Sequence, residues 1–416
     1  MDRHVPPPTS LDLQGSPSLT DDGLRDLARF PTLKHLNLAS CRAITDRGLE
    51  VLRQLPALES VSLAGTSCTD AAAAHLAACP HLRSLDLMGT PSGDGAIRAM
   101  AGNAALRDFR SGNAVTVAGI HQLHDIPVYG HWLGGDVRME LCGFDAEPNY
   151  LLLRGTFGDA GLAQLAGLEG LFALNVDDTR LGLTGAGLAA LGSLSHLGWL
   201  AFDAHDDAMP HIAAMPHLRF LMCQDTPAGD DGFAALSRSS TIEYIWGRRC
   251  HNLRRRGFEA LATMPALRGL SVSCLNVDDA GLASLPRFPA LTELMPMDVP
   301  DAGYRHVGRC ERLESLVLMY CRETGDQATS HITGLTRLRS YFASYNRITD
   351  RTPELLSRID SLERVVLDTC VGVSNAGVAA LVRLPNLREL GVSGMPGVTS
   401  DVAAAFRSGV RVSWHA

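Results

Sequence analysis

The residues in this chain best suited to chemistry lie near its middle. The segment Asp203-Ala204-His205-Asp206-Asp207, with His211 close behind, brings carboxylates and imidazoles together, and Asp177 falls one repeat earlier. Asp206 and Asp207 stand where a helix begins, so ordinary capping accounts for them. Asp203, His205 and Asp177 remain, a set that could act as general acid and base or hold a divalent ion, although the spacing matches no metal signature. Further on, Arg248-Arg249-Cys250-His251-Asn252-Leu253-Arg254-Arg255-Arg256 is the most basic stretch of an acidic protein. It reads either as a solvated rim or as a patch for anions. Cys250-His251 resembles a nucleophile with its base, but neighbours on a strand point to opposite sides, which argues against it. Walker loop, CxxC pair, G-x-S-x-G elbow and HExxH are all missing from the sequence, so neither a cofactor nor a metal is expected.

A repeat positions these residues. Leu33-x-x-Leu36-x-Leu38-x-x-Cys41 is followed by Ile44-Thr45-Asp46-x-Gly48-Leu49-x-x-Leu52 and then by Leu55-Pro56-x-Leu58, which opens the next copy. Later copies open at Leu82, Leu106, Leu171, Leu197, Leu218, Ile242, Leu267, Leu291, Leu313, Leu338, Leu362 and Leu387. The period, about 24 residues, falls in the range of leucine-rich repeats. Within each unit the Leu-x-x-Leu-x-Leu part alternates like a short strand, and the Thr-Asp-x-Gly-Leu part takes helical spacing. Thr or Asp is expected to cap that helix, as at Thr20-Asp21, Thr45-Asp46, Thr69-Asp70 and Thr349-Asp350. Proline then stops it, as at Leu55-Pro56, Met215-Pro216, Met264-Pro265 and Leu384-Pro385.

The pattern resembles the cysteine-containing class of leucine-rich repeats found in F-box substrate receptors and in bacterial effectors with GALA-type repeats. The resemblance covers nearly the whole chain and implies an α/β horseshoe, with a concave parallel sheet, convex helices and a partner on the concave face. We therefore expect one solenoid over residues 1–416, with an irregular repeat or insertion at about 121–149. That stretch carries Tyr129-Gly130-His131-Trp132 and Cys142-Gly143-Phe144-Asp145. It is either a degenerate repeat with a loop or a wall of a site. Short alanine-rich and glycine-rich pieces (Ala71 to Ala74, Gly185-Ala186-Gly187) fit a bacterial, high-GC origin.

Bulk properties narrow the partner. The formal net charge of −8 argues against nucleic acid or an anionic membrane. The amino terminus has no apolar signal core, and no apolar run approaches membrane-spanning length, so a cytoplasmic location is expected. The chain has 10 cysteines, of which Cys41, Cys250, Cys321 and Cys370 share one repeat position, as reduced core thiols would.

Stacked in register, outward strand positions form ladders. One reads Arg154, Asp177, Asp203, Gln224, Arg248, charged or amide-bearing where the flanking repeats are small or apolar. Its neighbours read Tyr150, Ala173, Trp199, Phe220, Tyr244 and Leu152, Asn175, Ala201, Met222, Trp246. At about 4.8 Å per strand, Arg154 to Arg248 would span roughly 19 Å, which suits a peptide or protein segment. Tyr320-Cys321-Arg322 and Ser344-Tyr345-Asn346 extend a rim beside this face. The expected function is a scaffold binding a protein or peptide over residues 150–250. Trp199, Phe220, Tyr244 and Trp246 would supply affinity. Arg154, Asn175, Asp177, Asp203, His205, Gln224 and Arg248 would supply selectivity. The alternative is an enzyme with Asp177, Asp203 and His205 beneath the 121–149 loop.

Overall fold

The structure is a computed structural model, and it describes residues 7–116, 118–119, 122, 150–154, 158–168, 171–177, 183–319 and 321–415. The side chains of residues 150, 152–154 and 177 are outside that description, as are the irregular stretch at 123–149 and Tyr320. The chain divides into two units, Met1–Ala201 and Phe202–Ala416.

In the first unit, five strands pair in parallel and in sequence order: β1 (Ser10–Asp12), β2 (His35–Asn37), β3 (Ser60–Ser62), β4 (Ser84–Asp86) and β5 (Asp108–Arg110). Leu36, Val61, Leu85 and Phe109 are registered against one another and are buried on the helix side. Three further strands follow, β6 (Tyr150–Arg154), β7 (Ala173–Asp177) and β8 (Trp199–Ala201), again parallel. The second unit carries β9 (Phe220–Met222), β10 (Tyr244–Gly247), β11 (Gly269–Ser273), β12 (Glu293–Met297), β13 (Ser315–Leu318), β14 (Ser340–Ser344), β15 (Arg364–Asp368), β16 (Glu389–Gly391) and β17 (Arg411–Ser413). They too run parallel in sequence order. No helix among the described residues is long and apolar enough to cross a membrane.

Most strands among the described residues are followed by a short helix, such as Asp70–Leu76, Asp230–Leu236 or Asp326–Ile332. Helices of one or two turns are unstable alone, so packing and capping must hold them. Threonine caps its own helix at two of the four expected places: Thr69 accepts from the Ala71 amide and Thr349 from the Arg351 amide, whereas Thr20 makes no side-chain cap bond and the segment after Thr45 starts from Arg47 with none. Aspartate does something else. Asp21 accepts from the Thr45 amide (2.8 Å) and hydroxyl (2.7 Å), and Asp46 accepts from the Thr69 amide (2.8 Å) and hydroxyl (2.6 Å). Asp159 does the same to Thr184, Asp326 to Thr349 and Asp350 to Ser374. Each carboxylate therefore sits at the helix start of the following repeat, where the backbone donors and the helix dipole favour an anion.

This relay explains the glycine of Thr-Asp-x-Gly. A β-carbon on Gly187 would meet Asp159 Oδ1 at 2.4 Å, and one on Gly232 would meet Asp206 Oδ1 at 2.4 Å. The expected helix after Thr45 is a 3₁₀ segment, Gly48–Gln54, closed by short-range bonds such as Leu55 N–H to Leu52 C=O.

The cysteines behave as core thiols. The nine described ones are free and buried. Cys41 donates to the Leu13 carbonyl and Cys321 to the Pro296 carbonyl, each reaching back one strand. Burial pushes Cys68 and Cys370 up to about 11, and Cys310 and Cys321 up to about 12.

Candidate functional site

The outward face of the second unit's sheet is built from alternate strand residues, because successive side chains on a strand point to opposite faces. Register pairs Tyr244 with Phe220 and Gly269, Trp246 with Met222 and Ser271, Ser271 with Met295, and Phe342 with Val317 and Val366.

The aromatic residues expected to stand free as anchors are largely covered. Phe220 is 1% exposed and Tyr244 8%. Their rings stack with centroids 6.2 Å apart. Tyr244 lies down because its neighbour on β11 is Gly269, whose β-carbon would fall 2.2 Å from the ring. Its hydroxyl then donates to Glu293 Oε1 at 3.3 Å, two strands away. Burial raises the Glu293 carboxyl, against the lowering pull of that bond and of Arg268. In the first unit, Trp199 is likewise only 4% exposed and Asn175 is half-buried, registered against Ala201. Arg154 and Asp177 are backbone partners across β6 and β7, and their side chains lie outside the described residues.

Trp246 is half-buried, and it opens an apolar cluster that continues beyond the 150–250 stretch. Met295 (4% exposed), Met297 (2%) and Val317 (8%) form its centre, with Trp246, Met319 and Phe342 packed around them. The ladder Met222, Trp246, Ser271 continues as Met295, Val317, Phe342, Val366, and following the repeat three units further would have found it. Gln224, half-buried, and Arg248, exposed, stand at one corner.

The rim supplies a second feature. At the strand exits the backbone turns through a left-handed residue, glycine at Gly65, Gly89 and Gly394 and a smaller polar side chain at Ser40, Asp298 and Thr369. The equivalent residue after β14 is Tyr345, with φ 58° and 64% exposure. A bulky residue pays a conformational penalty there that glycine avoids.

The acid cluster separates into structural parts. Asp203 accepts from the Asp225 amide at 2.8 Å, and Asp206 from the Gly229 and Gly232 amides at 2.7 and 3.0 Å. His205 is exposed. Among the described residues no three His, Cys, Asp or Glu side chains are grouped to hold a metal ion.

The basic stretch is extensively paired. Arg249 donates to Asp225 (3.0 Å), Arg255 to Glu259 (3.0 Å) and Arg256 to Asp231. Arg255 stands at a helix start because Asp230 of the preceding repeat already receives the Arg254 and Gly257 amides there. With an arginine in the relay position, the next helix is capped from within by Asp278, which accepts from the Gly281 amide at 2.8 Å.

A family model described as a leucine-rich repeat matches residues 31–52. No curated protein sequence matches the chain. Among solved structures, the chain is similar over 98% of its length to 54% of a chain in the TLR13–ssRNA13 complex, at 15% identity and a TM-score of 0.50. It is also similar to an internalin of Listeria monocytogenes at 15% identity, covering 97% of this chain and 86% of that one, with a TM-score of 0.33. A leucine-rich-repeat protein of Leptospira interrogans is similar at 13% identity, covering 97% and 95%, with a TM-score of 0.44. With the repeat legible in the sequence, the parallel register and the matched family model, this chain is a leucine-rich-repeat protein.

Proposed function

We propose that the chain binds a protein or peptide on the outward face of its sheets, and that in the second unit the apolar cluster from Trp246 to Phe342 is the contact. The observation that carries this reading is the composition of that face. A parallel sheet is normally covered by helices on both sides, and a side left to water alone has no reason to carry the half-buried Trp246, Met319 and Phe342 over a buried floor of Met295, Met297 and Val317. Methionine suits such a surface because its flexible thioether adapts to a partner's shape. Tyr345 supports the same reading, since an exposed ring is kept where glycine would be free of strain. Gln224 and Arg248 would orient the partner from the corner, and Asn175, Arg154, Asp177, Asp203 and His205 remain candidates for selectivity on the equivalent rows. The net charge of −8 disfavours nucleic acid, yet the fold does not forbid it, given a similar solenoid solved with RNA.

A photo-crosslinking residue placed at Met319, with a control at exposed Arg358 in the turn after the helix Arg351–Leu356, tests the reading in extract of the source organism. We expect a discrete protein adduct at position 319 only. Once that partner is purified, Trp246→Ala should weaken it about 30-fold or more, the level of a binding hot spot. Tyr345→Gly should weaken it while leaving the unfolding midpoint unchanged or raised. Equal adducts at both positions, or an adduct removed by ribonuclease, would count against a protein partner on this face.

A further inference from the structure

The residues just ahead of the strands form a charged row along the sheet edge. In the second unit, where Thr292 and Val410 are the uncharged members of the row, opposite signs pair: Arg219 with Glu243 (2.9 Å), Arg339 with Glu363 (3.2 Å), and Arg388 with Glu363 (3.4 Å). In the first unit the row begins the same way, with Lys34 bound to Glu59 at 2.8 Å. It then breaks. Arg83 and Arg107 follow on consecutive strands, joined directly by the Arg107 amide to the Arg83 carbonyl, with no acid between them. Parallel strands stand about 4.8 Å apart, so Arg107 has a cation as its neighbour on the preceding strand, where Glu59, Glu243 and Glu363 each have one opposite in sign.

Between them lies a notch of about 190 Å³ lined by Glu59, His81, Arg83, Ala105 and Arg107. Its one carboxylate is already engaged, since the Lys34 bond holds Glu59 below the usual carboxylate range. Arg107 is pinned by bonds from one guanidinium nitrogen to the Ala104 and Leu106 carbonyls, both 2.8 Å. That side chain has lost much of its freedom before any ligand arrives, which favours binding.

We propose that this notch is a site for a phosphate group, taken between the Arg83 and Arg107 guanidiniums with His81 at its side. The volume is below that of drug-sized pockets, which run from about 300 Å³, and suits a small anionic group. Two planar donor forks match the oxygens of a phosphate, and a phosphate near neutral pH carries close to two negative charges to set against two cations.

Titration calorimetry of the full chain with inorganic phosphate, at low ionic strength and pH 7.5, tests the site. We expect saturable binding of one phosphate per chain. Arg83→Gln and Arg107→Gln should each weaken it tenfold or more without changing the circular dichroism spectrum. Arg29→Gln, which removes one positive charge elsewhere in the same unit, should leave it within twofold. Heat that never saturates, or an equal loss in Arg29→Gln, would reduce the effect to general surface charge and overturn the site. Acetate binding as tightly as phosphate would overturn the assignment to a doubly charged group.

Discussion

Asp326 receives the Thr349 amide at 2.9 Å and the Thr349 and Thr352 hydroxyls, each at 2.7 Å. Burial raises its carboxyl, but the bonds from Thr349 and Thr352 prevail and hold it below the ordinary aspartate value. An unfolded aspartate titrates near about 3.9. Because the folded value is lower, the stabilisation is complete above that pH and is lost as the pH falls through the folded value. Asp326→Asn should therefore cost about 1–3 kcal/mol at pH 7, as charged hydrogen bonds do. The gap from wild type should narrow by pH 3. Urea midpoints at the two pH values measure it, and a gap of constant size would show that charge plays no part. Other single residues were only partly legible in the sequence. Aromatic residues at outward positions were legible, but their exposure was not, because Tyr244 folds over Gly269 only once a neighbouring strand supplies that glycine.

At the level of elements, the relay ties each helix to the repeat before it. Thr-Asp-x-Gly looks like a local cap in the sequence, and its threonine is one. The aspartate and the glycine instead belong to a contact between repeats, with Asp206 and Gly232 separated by a whole unit. Periodicity exposes the leucines, because burial recurs within each unit, but it cannot tell a bond within a repeat from one between repeats. The two roles separate in a double-mutant cycle. Gly232→Ala pushes a methyl group against Asp206 Oδ1 and should cost about 1–3 kcal/mol, as overpacking does. Asp206→Ala removes two backbone hydrogen bonds and should cost a similar amount. The double variant should lose clearly less than the sum, since the clash disappears with the carboxylate. Additive costs would mean that the glycine serves only backbone freedom.

Across the whole molecule, the strands, the short helices and the relay all link a repeat to its immediate neighbours, which is why the leucine pattern alone was enough to read the architecture. The face could be read only in outline, because its chemistry lies in residues that no repeat requires, such as Met295 and Phe342. Nearest-neighbour linkage has a measurable consequence. The described cysteines are buried, and burial holds Cys68, Cys310, Cys321 and Cys370 far above the range in which a thiol reacts readily. Alkylation at pH 8 must therefore wait for local opening. Asp46→Ala deletes the relay to Thr69, beside Cys68. Pulsed alkylation read by mass spectrometry should then show Cys41 and Cys68 modified faster than in wild type, with Cys321 and Cys370 unchanged. If all of these thiols accelerate together, opening is cooperative along the chain and the relay does not act repeat by repeat.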